Sequence, residues 1–300
     1  MNKVAPIFKD SSLQKQFEGD GYVKIKLLDR LKAQQLYNYY MANQKEHDVI
    51  EGLYHSTTHT NNPDLILQVD TYLKKALLPE LHRYFINYEP MLCTYITKVP
   101  GEGSETRLHQ DPTFVDEAKY ISANVWVALH DIDHQNGNLF FVKGTHRMVS
   151  GLRVTPDYPT AYDKVKGLLH ENLTEVPVKA GEAIIINHAT VHGATPNLAN
   201  ELRIAAVMAI RSVASDWIYH YLEPGASYDK IEKYSVDLDA FINLKKDGRP
   251  DQKGFLGYVS ADFPQLSPQQ FRRKMREVNS SGSSLPWLST LSNIKEKLFS

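Results

Sequence analysis

Five short β-prone runs between residues 91 and 210 limit what this chain can fold into more than any other feature of it. They are Met91–Val99, Ala123–Leu129, Leu139–Val142, Ala183–Ile186 and Leu202–Ile210. Each is dense in apolar and β-branched residues and bounded by Gly, Pro, Asn or Asp, the composition of a strand held between turns. The first ends at Pro100-Gly101, and Gly181 opens the fourth. Runs of this length and spacing predict an antiparallel barrel or a double-sheet roll.

The flanking regions have a different texture. Lys32–Met41 holds good helix formers without a breaker, and Asp64–Phe85 sets Leu65, Val69, Leu73, Ala76 and Leu77 near an i, i+3, i+4 stripe. Pro79 inside that stretch is expected to kink or split the helix. The polar segment Lys45–Asn62 reads as a loop, either a cover for a site or an ordinary solvated connection. The last ninety residues read as irregular and then helical, with a Ser/Gly break at Ser280–Ser284. The expected organisation is one domain over 1–300: a helical part to about residue 85, a β core over about 85–215 and a wrapping segment over about 216–300.

Composition narrows the function classes. With 42% apolar and 23% charged residues, the chain is neither disordered nor a coiled coil. Lys and Arg number 34 against 35 Asp and Glu, a net charge of −1, so nothing favours nucleic acid or an anionic membrane. A small molecule is the expected partner. The single cysteine, Cys93, stands in an apolar run, which fits a buried hydrophobe in a reducing compartment. No apolar run approaches the length of a membrane span, and Met1–Asp10 lacks a secretory apolar stretch. The expected location is cytoplasmic.

Of twelve histidines, only His109 has a carboxylate two positions on, Asp111. In extended chain those two side chains share a face, so an imidazole nitrogen and a carboxylate oxygen can converge on one metal ion. Downstream, Ala183–Ile186 is followed by His188 and His192. Their spacing of four would suit a zinc pair on a helix, but the β-branched run before them and Gly193 and Pro196 after them oppose a helix. Eleven residues past His192, Arg203 interrupts the apolar strand Leu202–Val207. An arginine so placed is either on an exposed face or buried against an anion, for which its planar fork is suited. Two histidines and one carboxylate match the facial triad of non-haem Fe(II) oxygenases or a zinc site with a water ligand. The arginine favours the first, because a zinc hydrolase needs no carboxylate clamp there.

Several segments resemble the phytanoyl-CoA dioxygenase family of Fe(II)/2-oxoglutarate-dependent oxygenases, as a set and in order. They are Lys98–Gly101, Arg107-Leu108-His109-Gln110-Asp111, Phe114–Glu117, Val125–Leu129, Asn136–Leu139, Gly144-Thr145-His146-Arg147, Gly181-Glu182, His192-Gly193 and Arg203. The resemblance covers about residues 90–212. It implies a mainly β, cupin-like double-stranded β-helix (a jelly roll) with N- and C-terminal helices packed around it. It implies that His109, Asp111 and His192 hold Fe(II), and that Arg203 receives the far carboxylate of 2-oxoglutarate. Trp126 falls where the family has a tryptophan lining the cosubstrate pocket, and a core role for it is the alternative. His146 is expected to be structural and His188 to support the site or lie on a strand surface. Lys143 replaces a usual proline, and Ala194 stands where some members carry a hydroxyl. Asp111 favours hydroxylation over halogenation. The function so implied is hydroxylation of an unactivated C–H bond of a small polar metabolite, using O2 and 2-oxoglutarate. Alternatives are a desaturase, epimerase or ring-forming outcome on the same iron, a zinc hydrolase, or a non-catalytic small-molecule-binding barrel.

Overall fold

The computed structural model describes residues 5–43, 54–149, 151–155, 160–244 and 248–281. Its core is two facing antiparallel sheets. The larger has the order β1 (Tyr22–Lys26), β8 (Glu182–Asn187), β5 (Ser122–Ala128), β10 (Arg203–Ser212), β3 (Tyr88–Lys98) and β2 (Tyr54–Ser56). The smaller has the order β4 (Thr106–His109), β9 (His192–Ala194), β6 (Leu139–Phe141) and β7 (Thr174–Val176). Neighbours far apart in sequence, such as β5 with β8 and β10, make this a jelly roll. All five β-prone runs of the sequence lie in these sheets, within two residues at most ends except the start of β3, three residues early.

Side chains alternate between the two faces of the larger sheet. Tyr22, Trp126, Ala128, Ile184, Ala205 and Val207 point inward and meet Leu139, Phe141, Val176 and Ala194 of the smaller sheet. Val23, Ile25, Val125, Val127, Ile185, Ile204 and Ala206 point outward into a second apolar layer. That layer is roofed by three helices: α1 (Ser11–Asp20), α2 (Arg30–Ala42) and α3 (Pro63–Leu81). Each begins at a capping side chain, Asp10, Asp29 or Asn62, which accepts backbone N–H groups of the first turn. α1 ends at Gly21, whose φ of +84° suits only glycine, and a Cβ there would collide with Thr190 Oγ1 and His146 Nδ1.

Four expectations are corrected. First, the N-terminal third is not purely helical, because Tyr22–Lys26 pairs with β8 over five residues. Its alternation is too short to stand out between two helices. Second, Pro79 does not split α3, which runs on to Leu81 and stops short of the expected Phe85. The proline's missing N–H forfeits one bond, to the carbonyl of Lys75, and only two helical residues follow it. Third, Lys45–Asn62 is not all loop. Tyr54–Ser56 adds the edge strand β2, Thr57–His59 forms a 3-10 turn, and 45–53 lie outside the described residues. Fourth, the C-terminal segment contains a third sheet, β11 (Ile218–Tyr221), β12 (Ile231–Ser235) and β13 (Phe255–Val259). Buried Glu232 on β12 is held by Arg249, at 2.7 Å from both Nε and Nη2, a charge pairing that hides the strand from an apolar pattern. The helix Pro268–Ser281 carries through the first residues of the expected Ser280–Ser284 break, whose remainder lies outside the described residues. Among the described residues, no helix is long and apolar enough to cross a membrane.

His146 behaves as a structural residue: it donates from Nε2 to the Glu18 carbonyl at 3.1 Å, tying the smaller sheet's turn to α1. Burial pushes both His146 and His220 down to about 4. In the unfolded chain each takes up a proton near pH 6.5, whereas in the folded chain each stays neutral until about pH 4. Stability from these groups is therefore complete above about pH 6.5 and is lost as the pH falls toward 4. Urea midpoints of the metal-free protein should fall across that window, and His146→Gln should flatten the fall. An unchanged pH slope in His146→Gln would count against this assignment.

Candidate metal centre

Strands β4 and β9 pair with His109 directly opposite His192. Their rings lie 4.3 Å apart between centroids, so the register alone sets two imidazoles side by side. The close approach depends on Gly193, where a Cβ would strike the Phe140 ring and the Thr106 carbonyl. Asp111 lies two residues beyond the end of β4, in extended chain rather than in the strand. Its backbone N–H donates to the His188 carbonyl at 2.9 Å, and its own carbonyl accepts from Arg153 Nε at 2.5 Å. One donor atom from each of His109, Asp111 and His192 lies within 4.8 Å of the others, and this is the group of such donors found among the described residues. His188 is not in it.

The hydrogen bonds around the imidazoles fix their tautomers. His109 Nδ1 faces the Arg107 carbonyl at 2.8 Å, and His192 Nδ1 faces the Thr190 carbonyl at 2.9 Å. A carbonyl only accepts, so each Nδ1 carries a proton, and in the neutral ring each Nε2 keeps a lone pair for a metal. Burial and the neighbouring His109 push His192 down to about 4. Burial works against charge on Asp111, but the surrounding histidines, His192 foremost, hold its carboxyl well below the usual carboxylate range. A neutral imidazole beside an ionised carboxylate is the protonation state metal binding requires.

A second polar feature lies deeper between the sheets. Arg203, at the start of β10, is 1% exposed, and its Nε and Nη1 have no hydrogen-bond partner. Its guanidinium lies 5.5 Å from the ring centroid of buried Trp126, a cation–π contact. Lys98 is its register partner on β3, also buried, with Nζ donating to the Ala194 and Thr195 carbonyls at 3.1 and 2.7 Å. Tyr54 on β2 is in register with Lys98, so Tyr54, Lys98 and Arg203 form one inward-facing rung. Burial, with Arg203 beside it, pulls Lys98 down to about 6, and burial brings Arg203 down to about 10. The enclosed Arg203 guanidinium, which has no ion pair among the described residues, makes a site for an anion, with the Lys98 amine beside it on the same rung. Sequence reasoning gave Lys98 no role, although its signal, a charged residue at the end of an apolar strand, is the one that singled out Arg203.

On the solvent side of His109 a cavity of about 1400 Å³ opens over β4. Its wall includes Leu108, Gln110, Tyr162, Asp163, Lys166 and Glu223. His188, by contrast, is buried behind the donor group, with Nδ1 2.9 Å from Ser122 Oγ.

This assembly defines a class: a jelly roll with a two-histidine, one-carboxylate donor set at its mouth and a buried cationic pocket within. The phytanoyl-CoA dioxygenase (PhyH) family model matches residues 26–205, and the chain belongs to that family. A phytanoyl-CoA dioxygenase domain-containing protein 1 from Danio rerio is 34% identical over 116 residues, 36% of this chain and 40% of that protein. A phytanoyl-CoA dioxygenase from Arabidopsis thaliana is 29% identical over 136 residues, 42% of this chain and 46% of that protein. The matched part thus spans less than half the length of these relatives. In fold, the chain is similar to the epimerase SnoN, a structure with Fe3+, alpha ketoglutarate and nogalamycin RO. The TM-score is 0.54 at 18% identity, covering 82% of this chain and 98% of SnoN.

The donor geometry favours His192 over His188 as the distal ligand. In anaerobic Fe(II) titrations, His192→Ala should lose more affinity than the roughly 10- to 100-fold typical of an outer hydrogen-bond partner. His188→Ala should stay within about tenfold of wild type on the same scale. The reverse order would move the site.

Proposed function

We propose that this protein is an Fe(II)/2-oxoglutarate-dependent dioxygenase that hydroxylates a C–H bond of a polar small molecule. The observation that carries the reading is the buried guanidinium of Arg203, with no hydrogen-bond partner for Nε and Nη1, inside a barrel with His109, Asp111 and His192 at its mouth. The donor set fits the metal: two Nε2 lone pairs and one ionised carboxylate leave further positions on an octahedral ion open. When bound, Fe(II) supplies O2 activation coupled to conversion of 2-oxoglutarate to succinate and CO2, and with it the oxidising power for the C–H bond.

The protein's own residues do the rest. Arg203 binds the far carboxylate of the cosubstrate through charge-assisted bonds, and Lys98 stands beside it on the same rung. Trp126 covers the guanidinium and keeps water from competing for it. This places the keto-acid end of the cosubstrate toward the donor triad, since both sites lie within one barrel. The substrate enters from the side of His109. The cavity there mixes Asp163 and Glu223 with Arg107 and Lys166, which supports a polar substrate over a plain acyl chain. At about 1400 Å³ it has room for an amino acid or for a larger natural-product intermediate. The presence of Asp111 favours hydroxylation over halogenation, and a desaturase, epimerase or ring-forming outcome on the same donor set is the alternative. The helices, the barrel and the C-terminal sheet serve as one oxygenase unit over 1–300. Packing of Ile66 from α3 and Leu92 from β3 against Trp217 and Tyr219 supports that unity.

Two measurements test this. Succinate release across metabolite classes should need Fe(II), O2 and 2-oxoglutarate, and zinc should not replace iron. Losing one partner of a buried charge pair costs about 2–5 kcal/mol, roughly 30-fold to several thousand-fold in affinity. Arg203→Ala should raise the 2-oxoglutarate requirement by that order with Fe(II) binding nearly intact, and Arg203→Lys should recover part. A wild-type 2-oxoglutarate titration in folded Arg203→Ala would remove the assignment.

A further inference from the structure

Asp111 is held at every polar point but one. Its backbone N–H is bonded to the His188 carbonyl, and its carbonyl to Arg153. Arg153 is itself buried and locked by both oxygens of Glu117, so the main chain on either side of the carboxylate has little freedom. What remains free is rotation of the side chain, and one residue opposes it. Asn124, on the inward face of β5 two residues before Trp126, donates Nδ2–H to Asp111 Oδ2 at 3.0 Å. The carboxylate can only accept, so the amide nitrogen is the atom that must face it.

Resting on the metal-site reading above, we infer that Asn124 is a positioning residue that occupies Asp111 Oδ2 and so makes this carboxylate a one-oxygen ligand. Oδ1 lies 3.7 Å from His109 Nε2 and Oδ2 3.9 Å from His192 Nε2, so both oxygens face the imidazoles, and the Asn124 bond on Oδ2 is what leaves Oδ1 for the metal. A carboxylate free to turn could chelate through both oxygens and fill a position that a cosubstrate or O2 needs. Asn124 thus keeps three coordination positions open. It acts through Asp111 and touches neither substrate nor cosubstrate in this scheme. The same strand therefore serves the pocket twice, with Asn124 on the ligand and Trp126 on the guanidinium.

The test uses Asn124→Leu, which keeps the volume without a donor, and Asn124→Ala, which removes the side chain. Fe(II) affinity is measured anaerobically and Co(II)-saturated protein by absorption, since the intensity of Co(II) bands reports coordination number. Both variants should melt close to wild type without metal, show weaker Co(II) bands from the added oxygen ligand, and shift Fe(II) affinity by about 10- to 100-fold. Wild-type Fe(II) affinity in either folded variant overturns the inference. So does a shifted affinity with an unchanged Co(II) spectrum, which would mark a merely structural contact. Asp111→Ala separates this from the wider reading: if it too binds Fe(II) normally, the metal site itself is misplaced. If it loses the metal while the Asn124 variants match wild type, only the role of Asn124 falls.

Discussion

The antiparallel pairing of β4 with β9 is the constraint on which the site depends. Two strands of four and three residues bring His109 opposite His192, and a slip of one residue would turn one imidazole to the other face of the sheet. So short a ladder cannot hold its own register. It is pinned by Gly193, which lets β9 lie against Phe140 and the Thr106 carbonyl, and by the stack of His192 on Phe141 and Phe141 on Tyr22. Tyr22 belongs to β1, so the N-terminal strand that completes the larger sheet also supports the ligand side of the smaller one.

Charge burial is the second constraint. Enclosing Arg203 and Lys98 between two apolar sheets opposes folding unless something compensates. The Ala194 and Thr195 carbonyls compensate in part for Lys98, and the Trp126 ring in part for Arg203. The unsatisfied remainder is a preformed demand for an anion, of the kind that functional sites retain at a cost to stability. A ligand carboxylate would meet it, which makes cosubstrate binding and barrel stability linked quantities.

Much of this was readable from local pattern. The core strands announced themselves by β-branched runs between turn residues, and Arg203 by its isolation in such a run. The His109/Asp111 spacing placed two donors on one face of extended chain, although the structure carries Asp111 past the strand and holds it by His188 and Arg153 instead. Other features escaped, Lys98 and the edge strand Tyr54–Ser56 among them. Tyr22–Lys26 is too short to show its period, and β12 hides behind the buried Glu232–Arg249 pair. Asn124 carries no charge and sits in an apolar strand, so only its contact with Asp111 gives it meaning.

By itself the sequence determined the alternation that buries one face of each core strand, the identity of the donor groups and the presence of an arginine in apolar company. These are local properties, fixed by side-chain chemistry and a period of two. The tertiary structure alone decided which residues face one another: His109 with His192, Lys98 with Arg203, Asn124 with Asp111. Cross-strand partners depend on register between segments a hundred or more residues apart, as for Lys98 with Arg203 and Tyr22 with Ile186. No local period carries that register, because it is set by the packing of all the strands at once.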